Sequence, residues 1–134
     1  MTTMTVRSVW PVLTFKDAPA AIRYLVDTFG FEEALVVPDE NDQSLVVHAE
    51  LRWPSGGGVM LGSMGAGNDP FSQLPAGVAN IYVVTEEPNA LFERVTAAGA
   101  DVVRELRDED YGSRGFTVRD PEGNLWSFGT YTGA

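Results

Sequence analysis

Apolar and polar positions along this chain fall into two kinds of pattern, and both occur twice. Val12 to Phe15 and Ile81 to Val84 are short apolar runs that predict strands. Each leads through an acidic turn into apolar residues at helical spacing. These are Ile22, Leu25, Val26 and Phe29 in the first half, and Leu91, Val95 and Ala98 in the second. Further strand signals follow each helix: Glu33 to Val37, Leu45 to Arg52 and Gly58 to Gly62, then Asp101 to Leu106, Gly115 to Arg119 and Leu125 to Thr130. Turn-forming clusters at 38–42, 54–58 and 120–124 separate them.

The halves align with each other at a shift of 69 residues, which places Pro19 on Pro88, Ala21 on Ala90, Ile22 on Leu91, Val26 on Val95 and Gly30 on Gly99, with Asp17 on Glu86. The prolines suit a first helical turn, where a missing N–H costs nothing, and the glycines suit a left-handed C-cap. The chain therefore reads as one α+β domain over 1–134 built from two tandem βαβββ modules. Module one spans about 8–64, a Gly- and Pro-rich linker 65–77, and module two about 78–131. A four-stranded antiparallel sheet covered by one helix leaves its other face open. Two such faces side by side would make a shared concave pocket.

Composition narrows the partners. A formal charge of −10 over 134 residues argues against nucleic acid and against an anionic membrane, since binding either rests on Lys and Arg. No apolar run approaches the ~20 residues of a spanning helix, and the N-terminus lacks a secretory signal, so the expectation is a cytoplasmic protein. With no cysteine, disulfides, thiolate ligands and a cysteine nucleophile are excluded.

The paired modules, the run Asp17-x-Pro19-x-Ala21 leading by a helix to Phe29-Gly30-Phe31, and the final Asp120-Pro121-Glu122-Gly123-Asn124 turn resemble the vicinal oxygen chelate superfamily (glyoxalases, extradiol dioxygenases and bleomycin-resistance proteins). The resemblance covers roughly residues 8–131 and implies that family's open sheet cavity and homodimeric assembly. It also implies metal-ligand positions on the first and last strand of each module. These fall on Trp10, Leu61 (with Gly62 as neighbour), Asn80 and Ser127. Trp and Leu do not ligate a divalent cation, and Asn and Ser are weak neutral donors, so no metal or other cofactor is expected.

His48 is the sole histidine. Strand alternation assigns Val47, Ala49 and Leu51 to the helix side and His48 and Glu50, with Val46, to the cavity. The pair is either a structural or ligand-contacting couple or a general base. Tyr111 and Arg114 are placed at the cavity mouth, unless Arg114 instead neutralises Asp108, Glu109 and Asp110 and fixes their loop. Trp10, Tyr82 and Tyr131 are read as cavity-wall aromatics, Trp126 and Phe128 as helix-side core, and Trp53 as a dimer-contact or loop residue. The expected ligand-binding set is Trp10, His48, Glu50, Asn80, Tyr82, Tyr111, Arg114 and Ser127. Three functions remain open: a metal-free small-molecule binder, a lyase- or isomerase-type enzyme using His48 and Glu50 or an unrecognised metal site, and a non-catalytic partner subunit.

Overall fold

The structure, a computed structural model, describes residues 9–67 and 70–134. Module one runs β1 (Val12–Phe15), α1 (Ala18–Tyr24), a π turn (Leu25–Phe29), β2 (Glu32–Pro38), β3 (Val46–Arg52) and β4 (Gly58–Ser63). Module two runs β5 (Asn80–Val84), α2 (Pro88–Ala97), β6 (Asp101–Asp108), β7 (Arg114–Arg119) and β8 (Leu125–Gly129). A short 3-10 turn, Phe71–Gln73, lies in the connection. This is the α+β glyoxalase/bleomycin resistance fold of two βαβββ units.

Each sheet has the first strand beside the last, in the orders β1-β4-β3-β2 and β5-β8-β7-β6. The sheets are mixed, not wholly antiparallel as expected: β1 runs parallel to β4, and β5 to β8. The helical crossover carries the chain from β1 to the far edge, and three antiparallel strands then return it to β1's side with β4 pointing the same way.

Leu13, Phe15, Ala49, Leu51, Val59 and Leu61 turn inward in module one, as do Val83, Phe116, Val118, Trp126 and Phe128 in module two. All belong to one continuous core. The helix-side assignment of Trp126 and Phe128 holds. Two alternation assignments fail. Leu61 is only 1% exposed and sits in the core, so Met60 and Gly62 occupy the open face of β4. At the start of β3 a bulge, where Val37 pairs with His48 but Pro38 with Val46, buries Val46 and leaves Val47 50% exposed.

The internal repeat also has a structural register of its own. The N-caps are Asp17 and Glu87, and Ala18 and Pro88 both open their helices buried, an offset of 70 rather than 69. The left-handed glycines past the helices, Gly30 (φ 94°) and Gly99 (φ 79°), stand at an offset of 69. One extra residue therefore lies inside the first helix, and the π turn is where it is held. Asp17 caps α1 by accepting from the backbone N–H of Ala20, at 3.1 Å.

The modules are clasped reciprocally. Trp53, in the β3–β4 turn, donates its indole N–H to the carbonyl of Val84 at the end of β5, at 2.8 Å. Glu122, in the corresponding β7–β8 turn, accepts from the backbone N–H of Lys16 and Asp17 just past β1, at 2.6 and 2.9 Å. Trp53 is thus a turn residue, the second of the two roles expected of it, and its ring packs on Phe31 and Phe128 between the modules. Phe29, on the π turn, meets Trp126 and Phe128 of the other module. Arg94 of α2 donates to the carbonyls of Val26 and Asp27 near the end of the π turn, where Val26 also accepts from the backbone N–H of Gly30.

Candidate functional site

The modules share a cleft of about 690 Å³, lined by Trp53, Gly58 and Val59 of module one and Ile81 to Thr85 of module two, but the two open faces do not merge within one chain. Each carries its own hollow, and the two have no lining residue in common. The helix-side faces of the sheets are what join the modules, so the open faces belong to opposite flanks of the common core.

The module-one hollow, about 310 Å³, is bounded by β1, β3, β4 and the connection after β4. Val12, Val47, Met60 and Phe71 supply apolar walls, with Thr14, His48, Ser63 and Ser72 the polar members. Val12 and Met60 are paired across the parallel ladder, on adjacent strands. His48 and Glu50, two residues apart on β3 and hence on one face, bring Nε2 to 2.8 Å from a Glu50 carboxylate oxygen. Their side chains are 37% and 29% exposed.

The module-two hollow, about 140 Å³, is lined by Tyr82, Tyr111, Ser127 and Thr117, with Arg104 and Glu109 at its rim. Thr117 and Ser127 face each other across β7 and β8 with their hydroxyls 2.8 Å apart. Glu109 is held between Arg104 at 3.0 Å and Arg107 at 2.9 Å. Tyr111 packs edge-on against Tyr131, and the Tyr82 hydroxyl donates to the Tyr131 carbonyl at 2.7 Å.

Arg114, Trp10, Asn80, Glu50 and Tyr131, all expected in the pocket, border neither hollow. Arg114 alternates with Phe116 and Val118 and so lies on the helix side, where it donates to Asn89 of α2 and pairs with Asp108. Of the three acidic residues that the loop-fixing alternative gave it, Arg114 pairs with Asp108, while Glu109 pairs with Arg104 and Arg107. Trp10 packs against Gly58, where a Cβ would come within 2.9 Å of its ring. Asn80 is exposed at the start of β5, opposite Leu125. Met60 and Thr117 escaped notice although their faces follow from the buried neighbours Val59, Leu61, Phe116 and Val118. Arg104 had no clear signal, because register shifts between Val102 and Arg107 break the alternation of β6.

A third hollow of about 190 Å³ lies between α1 and the 120–122 turn, beside Tyr24. Its carboxylates are all engaged: Asp17 in capping α1, Glu122 in the intermodule clasp, and Asp120 with four donors of its own turn and of Trp126. Burial holds the Tyr24 phenol above its usual pKa, reinforced by Asp120 and Asp101.

The metal-ligand positions implied by the family do not fit a metal here. In the register of the folded sheets, first and last strands bring Val12 against Met60 and Tyr82 against Ser127. Among the described residues no group of three or more His, Cys, Asp or Glu side chains could hold an ion.

Residues 7–128 match the family described as Glyoxalase/Bleomycin resistance protein/Dioxygenase superfamily. An uncharacterised protein of Mycobacterium bovis, Mb0911c, is 33% identical over 130 residues, covering 89% of this chain and 80% of the relative. Among solved structures, TioX from Micromonospora sp. ML1 is 35% identical with a TM-score of 0.72, over 91% of this chain and 98% of TioX. An integron cassette protein from V. cholerae, 21% identical, shares the fold with a TM-score of 0.70 over 98% of this chain and 100% of its own.

Proposed function

This chain belongs to the Glyoxalase/Bleomycin resistance protein/Dioxygenase superfamily, and on that premise we propose that it is a metal-free, homodimeric, cytoplasmic protein that binds and sequesters a small drug-like or metabolite-like molecule. One observation carries the reading. The open face of module one holds a hollow with largely apolar walls and that of module two one with Tyr82 and Tyr111; of the ligand positions that the family resemblance implies, Leu61 and Ser127 border these hollows, and neither offers an imidazole or a carboxylate. Homodimer formation is supported by exposure: Val12 is 60% exposed and Tyr82 46%, and both lie on edge strands, β1 and β5. A second copy that covered these faces would bring a module-one hollow against a module-two hollow and recover one larger pocket.

Melting of the purified protein with bleomycin-like and planar aromatic compounds tests this. Ligand at about one hundred times its Kd stabilises by about 2.7 kcal/mol, a shift of several degrees. A ligand-induced shift without a response to Zn²⁺, Mn²⁺, Fe²⁺ or Ni²⁺ is expected, with a sedimentation mass twice the 14.5 kDa of the chain. One ion bound tightly per chain overturns the metal-free assignment, and a stable monomer overturns the dimer.

The 2.8 Å contact of His48 with Glu50 favours a second reading, a metal-free lyase or isomerase using the pair as general base. Turnover lost in His48→Ala with binding retained would establish it.

A further inference from the structure

We propose that the module-one hollow recognises an apolar molecule through a weakly acidic O–H group, a phenol or an enol, that donates its hydrogen bond to Nδ1 of His48. The proposal rests on the ligand-binding reading above and specifies what that ligand presents.

The argument starts from Glu50. A carboxylate only accepts hydrogen bonds, and its oxygen lies 2.8 Å from Nε2 of His48, so Nε2 carries the proton of that contact. A neutral imidazole has a single N–H. In that neutral ring the other nitrogen, Nδ1, is a lone pair, and it has no partner among the described residues. His48 lines the hollow whereas Glu50 does not, so the imidazole is the group that an occupant meets.

The surroundings sharpen the preference. Other polar side chains there are small hydroxyls: Thr14, Ser63 and Ser72. Ser63 accepts from the backbone N–H of Val46 and Ser72 donates to the carbonyl of Gly67. The remaining walls are largely the apolar side chains named above. A ligand carboxylate or ester carbonyl would set an acceptor against the Nδ1 lone pair, with the Glu50 charge behind it. A ligand O–H supplies the missing donor, and the more acidic it is, the stronger the bond to a nitrogen whose ring is polarised by a carboxylate. At about 310 Å³ the hollow is at the small end of ligand sites and accommodates one or two fused rings.

Glu50 is the positioning residue. It holds the tautomer and touches no ligand.

The test compares 2-naphthol with 2-methoxynaphthalene, which differ in the donor, by fluorescence titration of the whole protein. Wild type is expected to bind the naphthol about five- to tenfold tighter than the ether, the value of one hydrogen bond. In His48→Phe that ratio should collapse towards one while the ether still binds. In Glu50→Gln it should fall part of the way, because an amide accepts or donates and no longer selects one tautomer. Equal affinities in wild type, or a ratio untouched by both substitutions, overturn the proposal. Binding of neither compound overturns instead the underlying reading of this hollow as an apolar ligand site.

Discussion

At the scale of single residues, the most heavily bonded carboxylate among the described residues, Asp120, lies in a turn and not on either open face. One Asp120 oxygen accepts from the backbone N–H of Glu122 and Asn124, the other from the Asn124 amide and the Trp126 indole, all at 2.9–3.0 Å. Trp126 and Asn124 are almost wholly buried. Asp120→Ala strands their N–H groups in the core, and chemical denaturation should register a loss of about 3 kcal/mol or more. A loss below about 1 kcal/mol would mean that water replaces the carboxylate. Tyr24 makes a second, pH-dependent case. Its folded pKa lies above the unfolded value of about 10, through burial first and then Asp120 and Asp101. Its contribution is complete below that unfolded value and is lost as pH rises through the folded one. Wild type should therefore lose stability relative to Tyr24→Phe above about pH 10, and equal slopes in the two proteins would remove Tyr24 from the account. The sequence marked the 120–124 turn as structural. It gave no hint that Asp120 reaches Trp126, a contact that depends on how the turn lies over β8.

At the scale of elements, the π turn is the feature with the largest consequence. It absorbs the one residue by which the first helix exceeds the second, and it delivers Phe29 to Trp126 and Phe128 at ring separations of 5.5 and 4.9 Å. Deletion of the exposed Asp27 should convert the turn to α-helix and rotate Phe29 away from those rings. The expected cost is about 3 kcal/mol, near that of truncating a buried Phe, read from the urea midpoint. A deletion variant of unchanged stability would show that the rings repack without the π turn. Helical periodicity located both helices, since Ile22, Leu25, Leu91 and Val95 all face the core. The insertion was hidden because a shift of 69 aligns both prolines and both glycines, while a shift of 70 aligns Ala20 with Ala90, Ile22 with Phe92 and Leu25 with Val95.

At the scale of the whole molecule, the reciprocal clasp explains why the open faces look outward. Trp53 grips the end of β5 and Glu122 the end of β1, while Phe29 of the π turn packs on Trp126 and Phe128 between the sheets. The helix-side faces are consumed in joining the modules, which leaves both hollows on flanks where only another molecule can cover them. The mass measurement set out with the proposed function is therefore a question about the site itself, because each hollow by itself is shallow and small.

The sequence by itself determined the two βαβββ units, the helical and strand segments, the inward face of β8, and the pairing of His48 with Glu50. These follow from local periodicity, and a side chain two residues along a strand stays on the same face whatever the rest of the chain does. Tertiary structure alone decided the parallel strand pairs, the removal of Arg114 to the helix side, the exchange of Leu61 for Met60 on the open face, and the separation of the hollows. Each of these depends on a register or on a contact between segments far apart in the chain. A one-residue bulge or insertion reverses a face without leaving a mark in the local pattern.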